Sequence, residues 1–119
     1  MATIIVLDDV MDAGVLIKRI LERKGHSVEA FTEEEEALAH AKAHAPDLAI
    51  LDIKLKKMTG VEVLEELKKV SPGTRVIMLT GYPTIETARQ CQRLGAADYC
   101  VKPIDKDELE DKVGKVLAS

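Results

Sequence analysis

What this chain lacks narrows the field first. Its 119 residues hold two cysteines, Cys91 and Cys100, nine residues apart, with no second pair and no metal-ligand spacing around them. That pattern excludes a disulfide framework, and both read as small apolar filler. No apolar run approaches the roughly 20 residues of a membrane span. The first, Ile4-Ile5-Val6-Leu7, is cut short by Asp8-Asp9 and reads as neither signal peptide nor anchor. An excess of one charge is also missing. The net charge is −4 with 32% charged and 46% apolar residues, which argues against disorder and against a nucleic-acid polyanion as the main partner. Linkers, repeats and low-complexity tracts are absent. The expectation is one globular, cytoplasmic domain over residues 1–119, long enough to bury a core without staples.

What is there alternates. Five short strand-like stretches, Ile4–Leu7, Ser27–Phe31, Leu48–Asp52, Val76–Leu79 and Asp98–Val101, are each followed by a helical pattern. The first helix has the stripe Ala13, Leu16, Ile17, Ile20 and Leu21, with Asp12 as its cap and Gly25 at its close. Thr32 with Glu35 spells a capping box for the second, which runs to about His44 and starts with the solvated run Glu33 to Glu36. Thr59 with Glu62 spells another for the third, whose stripe is Val63, Leu64, Leu67 and Val70 and which Ser71-Pro72-Gly73 ends. The fourth, Thr84 to Leu94 with Gly95 as left-handed cap, has the thin stripe Ile85, Ala88, Cys91 and Leu94 and is expected to be the least firmly held. The fifth opens at Asp105 and Glu108 and turns Leu109, Val113, Val116 and Leu117 inward. His40 and His44 share the i, i+4 spacing of a metal pair, but with no third ligand nearby they read as surface residues.

Strands alternating with helices through short connections imply a parallel sheet covered on both faces, because right-handed crossovers join parallel neighbours. At this length the expected architecture is a doubly wound, flavodoxin-like (βα)5 fold with strand order 2-1-3-4-5. Four of the strands finish on a functional group: Asp8-Asp9 on the first, Asp52 on the third, Thr80 on the fourth and Lys102 on the fifth. In an open parallel sheet these ends share one edge, where ligands bind at the point of reversed winding. Three carboxylates gathered there repel one another unless a cation joins them, and hard oxygen donors suit Mg²⁺. A carboxylate can then attack a phosphoryl group whose oxygens are met by the ammonium of Lys102 and the hydroxyl of Thr80.

Asp8-Asp9, Asp52 with Gly60 eight residues on, Thr80-Gly81 and Lys102-Pro103 resemble the receiver domain of bacterial two-component response regulators, and the resemblance covers essentially the whole chain. It implies that Asp52 is the phosphoacceptor, loaded by a histidine kinase or a histidine phosphotransfer protein. It implies Asp9 as direct Mg²⁺ ligand, Asp8 as the second acid acting through water, and the backbone carbonyl of Lys54 as a further ligand. Thr80 is then the switch hydroxyl, Lys102 the cation pairing with the phosphoryl group, and Lys102-Pro103 a cis bond. Tyr99 stands at the switch aromatic, which turns inward when Thr80 moves and so remodels the face of the fourth helix, fifth strand and fifth helix. The output partner or domain is left open, with no direct nucleic-acid or membrane contact by this domain; a homodimer formed on phosphorylation is among the partners the resemblance admits.

Lys56 stands where many receivers carry proline, with Lys57 next, and Val10 where a polar residue is common. Lys54 and Tyr82 hold the two positions that tune hydrolysis in the family, and a long stem and a ring there lead us to expect a long-lived phosphoryl state. Rival readings fit less well. A Mg²⁺-dependent phosphatase with an aspartate nucleophile needs Asp-x-Asp on the first strand and a cap, and a flavin carrier needs a phosphate loop where Asp8-Asp9 would repel one. A receiver-like module without chemistry leaves the acid set and Lys102 unexplained.

Overall fold

The computed structural model describes residues 1–54, 59–81 and 84–118. Five strands, β1 (Thr3–Leu7), β2 (Ser27–Phe31), β3 (Leu48–Asp52), β4 (Arg75–Thr80) and β5 (Asp98–Val101), alternate with five helices. These are α1 (Met11–Glu22), α2 (Glu34–Ala43), α3 (Gly60–Val70), α4 (Ile85–Arg93) and α5 (Lys106–Ala118). All pairings are parallel and the strand order is β2-β1-β3-β4-β5, as the alternation predicts.

The period-2 geometry of the strands divides the core in two. Ile4, Val6, Leu48, Ile50, Ile77 and Leu79 face one side and pack on Ile17, Ile20 and Leu21 of α1 and Leu109, Val113 and Val116 of α5. Ile5, Leu7, Ala49, Leu51, Val76 and Met78 face the other and pack on α2, α3 and Cys91 of α4. Burial on both faces is why the inner strands read as unbroken apolar runs. Both cysteines are buried and free; burial raises both thiols, Cys100 to about 11, in keeping with their role as filler.

Several local expectations change. Asp12 does not cap α1. Val10 is the N-cap residue, without a side-chain cap bond, and Asp8 Oδ1 accepts from Val10 N–H at 2.9 Å instead. Leu16 is 49% exposed, because the buried face of α1 runs through Gly14, Ile17, Ile20 and Leu21. The Thr32/Glu35 box does not form: α2 starts after Glu33, and Glu34, expected in solvent, is 1% exposed. Val70, in the last turn of α3, is also exposed. The Thr59/Glu62 box forms in full, with Thr59 Oγ1 accepting from Glu62 N–H at 3.2 Å and Glu62 Oε1 from Thr59 N–H at 3.1 Å. Gly95 follows α4 at φ +101°, as expected, and Thr84 is its N-cap, accepting from Thr87 N–H, yet only Cys91 of that helix is buried and Ile85 lies open. His44 is exposed, and His40 stacks against Phe31 at 5.3 Å between ring centres.

Candidate functional site

Register brings the strand ends together. Leu7 pairs with Leu51, Asp52 with Leu79 and Thr80 with Val101, so Asp8, Asp9, Asp52, Thr80 and Lys102 all emerge at one edge of the sheet. Carboxylate oxygens of Asp8, Asp9 and Asp52 lie within 4.8 Å of one another. Asp8 is fully buried, Asp52 is 5% exposed, Thr80 is buried and Asp9 is half-buried. An open cavity of about 360 Å³ is lined by Asp9, Asp52, Lys54, Thr80, Gly81 and Lys102, and also by Thr87 of α4. Thr87 was not singled out from the sequence. Its place follows from the way α4 crosses the sheet edge, for which no local motif codes.

Lys102 spans the acids. Its Nζ donates to Asp8 Oδ2 at 2.9 Å and to Asp52 Oδ2 at 3.2 Å, while its backbone N–H donates to the Thr80 carbonyl at 2.7 Å. The Lys102-Pro103 bond is cis. Asp8 therefore uses both oxygens, one on Val10 N–H and one on Lys102, and Asp52 Oδ1 accepts from Lys54 N–H at 3.3 Å. Burial, followed by the neighbouring Asp8 charge, holds the Asp52 carboxyl above its ordinary range, and Lys102 offsets only part of this. Burial by itself would lower Lys102. Its hydrogen bond to Asp8 and the two carboxylate charges outweigh that and raise it.

The donor set fits a hard divalent cation. It is all oxygen, three carboxylates within coordination reach, two of them bonded to Lys102. Among the described residues, nothing bonds the Asp9 carboxylate. The Gly60 position belongs to the site as well. A Cβ there would overlap the Asp52 carbonyl oxygen and come within 2.7 Å of Ile53 Cα, and Gly60 N–H donates to the Ile53 carbonyl at 2.7 Å. Tyr99, on the edge strand β5, is 41% exposed. Tyr82, Lys56 and Lys57 lie outside the described residues.

A five-stranded 2-1-3-4-5 sheet with an acid triad at its switch point defines a receiver-type phospho-signalling domain. The sequence matches the response regulator receiver domain family over residues 4–114, and the chain belongs to that CheY-like family. It is 31% identical to sporulation initiation phosphotransferase F of Bacillus subtilis, over 96% of this chain and 92% of that protein. It is also 31% identical to the transcriptional regulatory protein ZraR of Escherichia coli, of whose length it spans 26%. Among solved structures, it is similar to a receiver domain protein of Methanospirillum hungatei, with a TM-score of 0.94 at 35% identity over 99% of this chain and 94% of the other. The receiver domain of NtrX from Brucella abortus gives 0.91 at 36% identity, with 98% of each chain covered. Receiver domains are signalling switches rather than turnover enzymes and work with histidine kinases or phosphotransferases. Among the described residues, no helix is long and apolar enough to cross a membrane.

Proposed function

We propose that residues 1–119 act as one receiver domain that takes a phosphoryl group onto Asp52 from a histidine kinase or a histidine phosphotransfer protein. The observation that carries this reading is the bridge from Lys102 to Asp8 and Asp52 beside Thr80, in one cavity open to a donor. An Asp52 carboxylate oxygen forms a bond to phosphorus as the donor's N–P bond breaks, and the imidazole nitrogen keeps the electron pair. Thr80 then donates to a phosphoryl oxygen, and the Lys102 ammonium moves from carboxylate to phosphoryl charge. Asp9, Asp52 and the Lys54 carbonyl would hold Mg²⁺, with Asp8 acting through water. When bound, the metal supplies charge to offset the transferred oxygens.

In this reading Thr80 moves toward the phosphoryl group, Tyr99 turns inward, and the α4–β5–α5 face signals to a partner, an output domain or a second copy. The domain works in the cytoplasm without touching nucleic acid itself. A long-lived phosphoryl state, expected from the residue types at positions 54 and 82, is part of this reading, and a half-life of only seconds in a partner-free decay assay with Mg²⁺ would remove that part.

The test of the whole is labelling by radioactive acetyl phosphate with Mg²⁺. The wild type is expected to label and Asp52→Asn to stay blank. Equal labelling of both would sink the acceptor assignment, and no labelling of either would favour a module without chemistry.

A further inference from the structure

Tyr99 is held from the outside by a residue that the receiver pattern did not bring forward. Lys112, on α5, donates from Nζ to the Tyr99 backbone carbonyl and lies 5.3 Å from the centre of the Tyr99 ring, within the reach of a cation–π contact. The ammonium is seated by Glu108 one turn earlier at 3.3 Å and by Asp98 at 3.9 Å. The backbone bond fixes the ammonium, so the ring gains this contact only in its outward position. On the inner side, the slot between Tyr99 and Ile53, Met78, Thr80, Thr84 and Cys91 has a free volume of about 10 Å³. That is about the room of one water and far less than a phenol ring needs.

We propose that Lys112 is a positioning residue for the switch, holding the Tyr99 ring outward until the space beside Thr80 opens. The proposal rests on the reading of Tyr99 as the switch aromatic given above. Two restraints then act on the ring, crowding on the inside and the Lys112 cation on the outside. The first is released at Asp52. The second belongs to α5 and sets how much of the unphosphorylated protein already has the ring turned in.

The experiment uses the whole chain labelled with fluorotyrosine, in which only Tyr82 and Tyr99 report and Tyr99→Phe assigns the signals. Relaxation of the Tyr99 fluorine by a dissolved paramagnetic chelate reads the exposure of the ring without any phosphorylation. Lys112→Gln keeps the stem and removes the charge. It is expected to raise the inward fraction roughly two- to five-fold, the factor of one exposed cation–π contact. Lys112→Arg, which restores a cation over the ring, should match the wild type, and Glu108→Gln should fall between. Equal ring exposure in wild type and Lys112→Gln overturns the proposal, as does an equal change in Lys112→Gln and Lys112→Arg. Acetyl phosphate labelling of the same samples keeps the two readings apart. A blank wild type there counts against the phosphoacceptor assignment, whereas the ring measurement alone decides the role of Lys112.

Discussion

Lys102 keeps two carboxylates together that would otherwise drive each other apart. With Asp8 fully buried and the Lys102 side chain 28% exposed, the triad is neither a free surface pair nor a dry one. Replacing Lys102 by Met leaves Asp8 and Asp52 facing each other and should cost about 2 kcal/mol at neutral pH, less than the loss seen when a wholly buried pair is broken. Chemical denaturation at pH 7 checks this. Asp52→Asn should act in the opposite direction. Because the folded protein raises the Asp52 carboxyl above its ordinary 3.8, this group favours folding below that value and loses the contribution as pH rises through its folded pKa. Asp52→Asn is therefore expected to be more stable than wild type at pH 7, by roughly 1 kcal/mol, and to melt higher, with the gap closing toward pH 4. Melting curves across that pH range test the sign. The acids, Thr80 and Lys102 were legible in the sequence because each ends a strand. That Asp8 is the hub, bonded to both Val10 and Lys102, was not, since side-chain rotamers decide it.

At the scale of elements, α3 and β3 meet at a single crowded point. Gly60→Ala would push a methyl group into the Asp52 carbonyl, and the expected cost is about 3 kcal/mol, the upper end for overpacking, together with weaker labelling of Asp52. Denaturation and acetyl phosphate labelling of this variant check both effects. The Asp52 and Gly60 spacing was visible in the sequence, but the reason for glycine was not, because it is a contact between two elements rather than a turn. Helix starts show the same division. Thr59 and Glu62 formed their box, whereas the N-cap of α2 falls one residue past Thr32, on Glu33, with Glu34 buried. In α1, the buried face runs through Gly14, Ile17, Ile20 and Leu21 and leaves Leu16 out of the expected stripe. For α4, which buries only Cys91, native-state hydrogen exchange should find amides opening well before those of α3, which buries Val63, Leu64 and Leu67. Equal protection of the two helices would contradict a weakly held α4.

For the molecule as a whole, the sheet order followed from alternation and short connections, because few topologies satisfy right-handed crossovers. The two-sided core followed from apolar runs in the strands. Cavity shape and the reach of α4 into it did not, since both depend on how complete elements pack. Metal binding would link the site to global stability. If Asp9 and Asp52 hold Mg²⁺ in the folded state only, Mg²⁺ at about 100 times its Kd should add roughly 2.7 kcal/mol. Asp9→Asn should lose most of that gain, as read by thermal denaturation with and without the ion. The central claim is narrower, namely that one carboxylate among three becomes phosphorylated. Borohydride reduction of the protein after treatment with acetyl phosphate and Mg²⁺, followed by peptide mass spectrometry, converts a phosphorylated aspartate to homoserine and so names the residue. Homoserine at position 52 alone is the predicted result; homoserine at Asp8 or Asp9, or none in protein that carries label, would contradict it.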